Sequence, residues 1–236
     1  MQITYIGHSG FLAELKQSLL LFDYYEGPLP EAFPEKKLFV FASHRHPDHF
    51  NPEIFRLAEG RETRTFFVLS DDIWEHRIPK ERLAKTLRLK PDADISFEGL
   101  EIHTLKSTDE GVAFLIRTEG KTIYHAGDLN DWRWPGEPES FNLKMQSDFQ
   151  NCLEPLRGME MDAAFIPLDP RQEAYYSLGL DYFLSLTAWE KGRTRIYPMH
   201  CWEDYSVIGR WLKQHPGHPA RECLVSIGSR GETFQQ

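Results

Sequence analysis

Ser43-His44-Arg45-His46-Pro47-Asp48-His49-Phe50 concentrates three histidines and an aspartate between His44 and His49. In an extended segment residues i and i+2 point the same way, so His44 and His46 can put two imidazoles on one cation. Asp48 and His49 lie past the turn that Pro47 forces and aim elsewhere, so one loop can feed two metals. Pro47 biases His46 toward extended backbone and cannot continue a ladder, which ends a strand here. Asn51-Pro52-Glu53 then reads as a helix N-cap, a proline at the first helical position and an acidic residue in the first turn. A helix over about 52–59 is expected.

Upstream, Lys37-Leu38-Phe39-Val40-Phe41-Ala42 is a nearly continuous apolar run, the pattern of a strand buried on both faces, and it delivers His44 at its end. The first 25 residues hold three β-like runs, 3–6, 11–15 and 18–24, a meander that leads into a loop over 27–34. Downstream, a strand over 65–69 and short helices at 71–76 and 79–85 are expected, then strands at 95–97, 100–105, 112–117 and 122–125. After an aromatic loop, a helix over about 141–156 precedes an α/β alternation: strands 163–167, 194–198 and 224–227, helices about 175–190 and 205–214. No linker, repeat or low-complexity segment divides the chain. The expectation is one α/β domain over 1–236, with two β-rich halves that carry helices on their outsides.

With 236 residues, 41% of them hydrophobic, the chain can bury a proper core. Its net charge of −9 argues against broad attraction to nucleic acid or anionic membrane. Cys152, Cys201 and Cys223 are odd in number and widely spaced, which suits a reducing cytoplasm better than a disulfide framework. The N-terminus enters a strand pattern at once, so no signal peptide is expected, and no apolar stretch approaches membrane-spanning length.

The box His44-x-His46-x-Asp48-His49 resembles the signature of the metallo-β-lactamase fold superfamily. Gly7-His8-Ser9-Gly10-Phe11, Leu20-Leu21-Phe22-Asp23, Ile123-Tyr124-His125-Ala126-Gly127-Asp128 and Tyr197-Pro198-Met199-His200 extend the likeness over nearly the whole chain. In order and spacing they resemble the ascorbate-6-phosphate lactonase-like branch. The resemblance implies a four-layer αββα sandwich with a metal centre at one edge. It makes Asp128 the bridge between two cations, with His44 and His46 on the first and Asp48, His49 and His200 on the second. Such a pair holds a hydroxide at neutral pH and polarises a substrate oxygen; Asp48 could instead accept a proton from the water. One departure stands out. The superfamily's further histidine for the first metal has no counterpart in Ser107-Thr108-Asp109-Glu110-Gly111, and His103 lies four residues early, inside a strand pattern. Asp109 could substitute as an oxygen ligand, favouring manganese or iron over zinc; alternatively the first metal is weak or absent.

Other residues have two readings each. Asp23, after an apolar strand, either caps a loop or orients a ligand histidine from behind, the latter in keeping with metal sites generally. His8 and His125 either touch ligands or substrate, or simply pack. Trp132 and Trp134 could wall a pocket, fill the core or make a subunit contact. Arg171 could clamp an anionic substrate group or form a loop salt bridge, and Cys201 is a soft ligand or an inert thiol. The function expected is a cytoplasmic hydrolase with one or two divalent ions (Zn, Mn or Fe), acting on a small ester-like, lactone-like or phosphorylated metabolite. A phosphodiesterase or nuclease of the same fold, or a non-catalytic metal-binding scaffold, are the alternatives. A small-molecule substrate is the expected partner, and the oligomeric state is left open.

Overall fold

The computed structural model describes residues 1–29 and 35–236, so the loop expected over 27–34 lies outside the described residues from Pro30 onward. The apolar runs become strands: β1 (Gln2–Gly7), β2 (Gly10–Glu14), β3 (Ser18–Phe22), β4 (Lys37–Ala42), β5 (Thr65–Ser70) and β6 (Thr86–Leu89). They pair in that order, antiparallel from β1 to β3 and parallel from β3 to β6. A second sheet follows from β7 (Asp94–Phe97), β8 (Leu100–Lys106), β9 (Val112–Thr118), β10 (Lys121–His125), β11 (Ala163–Pro167) and β12 (Arg195–Met199). It is antiparallel up to β10 and parallel from β10 to β12. The chain ends with β13 (Thr233–Gln235), which returns to the first sheet beside β1.

The two sheets pack through aromatic side chains of their facing surfaces. Phe11 and Phe22 meet Phe165 at ring-centroid distances of 4.5 and 5.7 Å, and Phe41 meets Phe114 at 5.2 Å. Alternation along β3 and β4 sends Leu19, Leu21 and Val40 to the other face, against Phe50, Ile54 and Phe55. On the second sheet, α1 (Glu139–Leu153) contacts β8 and α2 (Leu178–Leu186) contacts β11, with Phe183 stacked on Tyr124 at 5.8 Å. The third helix, α3 (Ser206–Gln214), buries Val207, Ile208 and Trp211 in the same core.

Several elements differ from expectation. The outer layer of the first sheet consists of 3₁₀ helices at Pro52–Ala58, Glu62–Arg64, Glu75–Arg77 and Lys80–Lys85. Asn51 caps the first as its sequence indicates, its Oδ1 accepting from Glu53 N at 3.0 Å. The other three bury no residue, and a short segment with no apolar face to pack cannot sustain α-helix. Pro155 ends α1 early in a 3₁₀ turn at Glu154–Leu156. The region expected as a helix over 175–190 holds only α2, preceded by a 3₁₀ segment at Pro170–Tyr175. Leu224 makes only an isolated bridge to Ile196 where a strand was expected over 224–227. Strands β6 and β13 have no expected counterpart; both are short, and β13 pairs with a strand at the opposite end of the sequence.

The parallel strands β3 and β4 of one sheet, and β10 to β12 of the other, share an important consequence. Their carboxyl ends deliver Asp23, His44, Asp128, Asp169 and His200 within one to three residues of the last ladder pair. The ends of parallel strands are where open α/β sheets place ligands.

Candidate metal centre

Two groups of four donors lie at this edge, found among the described residues: His44, His46, Asp109 and Asp128 in one, His8, Asp48, His49 and His200 in the other. In the first, His44 Nε2 is 3.0 Å from His46 Nδ1 and 3.6 Å from Asp128 Oδ2, and His46 Nδ1 is 3.7 Å from Asp109 Oδ2. In the second, Asp48 Oδ2 is 3.3 Å from His8 Nε2 and 3.9 Å from His49 Nε2. Asp128 Oδ1 faces this second group, 3.2 Å from His49 Nε2 and 3.5 Å from His200 Nε2. Bonds of about 2.1 Å arranged tetrahedrally put neighbouring ligand atoms about 3.4 Å apart, so these spacings fit an ion in each group. His49 Nε2 and Asp128 Oδ1 are buried without a hydrogen bond, a costly condition that a cation between them relieves.

The His44–His49 loop divides its donors as expected, His44 and His46 in one group and Asp48 and His49 in the other, but the strand stops at Ala42, well before Pro47, and residues 43–46 are bends rather than a continued extended segment. Asp128 splits its two carboxylate oxygens between them. Asp109 also reaches the first group, and the reason is steric. Gly111 (φ +68°) and Gly127 (φ +53°) both press on Ser43: a Cβ on Gly111 would lie 2.0 Å from Ser43 O, and one on Gly127 2.6 Å from Ser43 Cβ. Val112 N donates to Ser43 O (2.9 Å), and Thr108 Oγ1 donates to Asn130 O (2.6 Å), so the Asp109 loop is pinned to the histidine loop and to the loop that follows Asp128. His103, by contrast, pairs in β8 opposite Asp94 and belongs to neither group.

Behind the donors runs a set of buried supports. Asp23, fully buried, accepts from Ser43 N (2.7 Å), Ser43 Oγ (2.6 Å) and His49 Nδ1 (2.7 Å). His44 Nδ1 in turn donates to Ser43 Oγ (3.0 Å), so Asp23 orients one histidine of each group. His200 Nδ1 donates to Asp169 Oδ2 (3.0 Å), which also receives the guanidinium of Arg171. His8, Asp23 and His200 take left-handed backbone, with φ of 52°, 43° and 61°. Such conformations are held by their surroundings and concentrate at functional sites; here His200 N donates to His8 O (3.1 Å) and ties two of these corners together.

The electrostatics follow from this crowding. Burial opposes the charge of Asp23, but His125 and His49 outweigh it and hold its pKa down at about 2. Burial would lower His49 as well, yet Asp128 and the hydrogen bond to Asp23 raise it to about 9. His44 is pushed down to about 4 by burial and by His49. Asp48 is held well below the carboxylate range because His8 and His49 overcome its burial. Asp109 is raised, by burial and then by Asp128. The carboxylates meet a cluster that concentrates positive charge, and Asp109 sits where negative charge accumulates.

The remaining sequence candidates separate clearly. His125 faces neither group: it is fully buried, its Nε2 donates to Ser9 O (2.9 Å), its Nδ1 accepts from Gly127 N (3.1 Å) and its ring stacks on Phe22. Trp132 is nearly buried, donates to Asp128 O (2.8 Å) and sets its ring 5.4 Å from His200. Arg171 makes the loop salt bridge, to Asp169, and lines the cleft above Asp128. Cys201 is buried, with its thiol pushed up by burial, and belongs to neither group. Sequence reasoning missed Asp169, Ser43, Trp202 and the placing of His8 among the donors. Leu168-Asp169 does repeat the signal of Phe22-Asp23, an aspartate closing a buried strand, but only the neighbouring of β11 and β12 aims it at His200.

Residues 2–133 match a family model described as a β-lactamase superfamily domain, more than half of the chain. A protein of Opitutus terrae named a metal-dependent hydrolase is 31% identical over 149 residues, which is 54% of this chain and 63% of the relative. The chain thus spans less than two thirds of the length of that relative. Igni18, a metallo hydrolase from Ignicoccus hospitalis, superposes with a TM-score of 0.62 at 17% identity, over 100% of this chain and 98% of the other. YhfI of Bacillus subtilis, a metallo-β-lactamase fold protein, gives 0.58 at 17% identity, over 99% and 98%. At such identities the likeness speaks for the fold, and it agrees with the two packed sheets and their outer helices. The chain belongs to the β-lactamase superfamily and has the αββα sandwich of the metallo-β-lactamase fold.

Proposed function

We propose that this chain is a metal-dependent hydrolase holding two divalent ions, one in each donor group, and acting on a small ester or lactone. The observation that carries the reading is Asp128, whose two carboxylate oxygens face separate clusters of histidines at the floor of a cleft of about 460 Å³. Bound there, the ions would supply Lewis acidity and an activated water. Asp128 faces both groups, and Asp48, beside His8 and His49, completes the second and would hold the attacking water in place. Water oxygen adds to the acyl carbon, the acyl C–O bond breaks, a proton of the water passes to the leaving oxygen, and the products are a carboxylic acid and an alcohol, joined in one hydroxy acid where the substrate is a lactone. The histidines act through fixed orientation, which Asp23 and Asp169 enforce from behind. Asp109 is assigned as an oxygen donor to the first ion, which makes that site harder and favours manganese or iron there over zinc.

The phosphodiesterase or nuclease reading has less support, because Arg171 is the one permanent cation lining the cleft among the described residues, and Asp169 already pairs it. The three free cysteines agree with a proposed cytoplasmic setting. Elemental analysis of protein purified without chelator, followed by a screen of esters, lactones and phosphodiesters, tests the reading. At least one first-row metal per chain and turnover abolished by Asp128→Ala are expected. Protein that is metal-free and also fails to take up added Mn²⁺, Fe²⁺ or Zn²⁺ refutes it.

A further inference from the structure

The walls of the cleft carry a chemistry of their own. Trp132 and Trp134 lie parallel, 8° apart, with centroids separated by 6.0 Å. Arg171 Cζ sits 4.3 Å from the centroid of Trp202 and 5.9 Å from that of Trp134, so one guanidinium spans two indoles. Asp169 grips the same guanidinium through Nε and Nη2. The three tryptophans are therefore fixed to the support that orients His200. Phe141 and Met145 of α1 add to the lining. Phe141 and Trp202 remain 42% and 46% exposed, and both line this cleft, Trp202 also bordering a smaller pocket beside His8 and Arg230. Large apolar rings gathered around a polar centre mark a place for an apolar ligand.

Charge narrows the ligand further. Asp48, Asp109 and Asp128 face the cleft, and these three carboxylates offset all but one of the four positive charges that two divalent ions would bring. Arg171 is neutralised by Asp169. Among the described residues lining this cleft, a phosphate dianion would thus meet apolar walls and carboxylates, with Arg171, already paired to Asp169, the one permanent cation beyond the metal centre. An uncharged group loses nothing by entering.

We infer that the cleft selects an uncharged carboxylic ester or lactone whose acyl part bears a flat apolar group, aromatic by preference, packed against Trp134 and Trp202. For the reacting end this rests on the hydrolase reading proposed above; the apolar wall stands on its own geometry. Trp202 is thereby a specificity-determining residue.

Calorimetric titration of the metal-loaded protein with phenylacetate, acetate and glucose 6-phosphate reads the wall directly, since phenylacetate is the acid product of an ester whose acyl part carries an aromatic ring. Phenylacetate should bind at least about tenfold more tightly than acetate, and glucose 6-phosphate no better than acetate. Trp202→Ala should remove most of that preference, and Trp202→Phe should restore it. Methyl phenylacetate should likewise exceed methyl acetate in kcat/KM. Equal binding of phenylacetate and acetate, or tighter binding of glucose 6-phosphate, overturns the inference even if esters are hydrolysed. Absence of all turnover with the phenylacetate preference intact and dependent on Trp202 overturns the hydrolase reading and leaves the apolar subsite standing. If Trp202→Ala dissociates an oligomer in sedimentation and leaves phenylacetate affinity unchanged, the ring serves a subunit contact and the inference fails.

Discussion

Asp23→Asn tests whether the buried supports set metal affinity. Asparagine keeps the shape of the side chain and tolerates the left-handed backbone at this position (φ 43°), so the backbone corner survives. One amide oxygen can still accept from Ser43 N. The amide NH₂ then faces Ser43 Oγ and His49 Nδ1, both of which donate to the carboxylate in the native chain. Two hydrogen bonds to a charged group are lost, worth about 1.5 to 3 kcal/mol each, so metal-free stability should fall by roughly 3 to 6 kcal/mol. Loss of such a partner behind a ligand histidine weakens metal binding by about 10- to 100-fold, or about 1.4 to 2.7 kcal/mol. Because His49 loses its direct partner and His44 its Ser43-mediated one, both sites should weaken together. Competition against a chromogenic chelator at fixed pH gives the affinities, and thermal unfolding with and without chelator gives the stability. Affinities within threefold of wild type at both sites, together with an unchanged metal-free Tm, would show that Asp23 does not orient these ligands.

Three further predictions concern the ligands and the chain that carries them. Asp128→Ala should abolish metal retention at both sites, whereas Asp109→Ala should lower stoichiometry toward one ion per chain; full retention of two ions after Asp109→Ala removes it from the ligand set, as judged by elemental analysis after desalting. Gly111→Ala forces a Cβ to within 2.0 Å of Ser43 O in a left-handed conformation, so a loss of several kcal/mol, at least about 3, is expected in denaturant unfolding; near-wild-type stability would mean the two loops are not pressed together. In metal-free protein, His49 has its pKa raised from 6.5 to about 9. Its contribution is complete below the unfolded value and is lost as pH rises through the folded one, so Tm should drop between about pH 7 and 9.5. Metal-loaded protein should lack this decline, because ligation requires the neutral imidazole; parallel pH profiles for the two forms would refute the assignment.

The sequence by itself determined the parts of this protein that rest on local periodicity. The apolar run of Lys37–Ala42 is a strand with the boundaries read from it, and the loop beyond it parts His44 and His46 from Asp48 and His49 in the grouping read from the chain, through bends rather than extended backbone. Gly127-Asp128 and Met199-His200 were legible through the resemblance of their boxes to those of the superfamily, each box following a buried strand. What stayed hidden depends on which strands are neighbours. His8 joins the second donor group because His200 N reaches across to its carbonyl, and Asp169 finds His200 because β11 lies beside β12 in parallel register. The missing histidine of the first group was visible in the chain. Asp109 could be named from the chain as one way to fill that place, but its approach to His46 was decided only in three dimensions, where Gly111 and Gly127 press on Ser43 and close packing draws a carboxylate from another sheet beside the histidine loop.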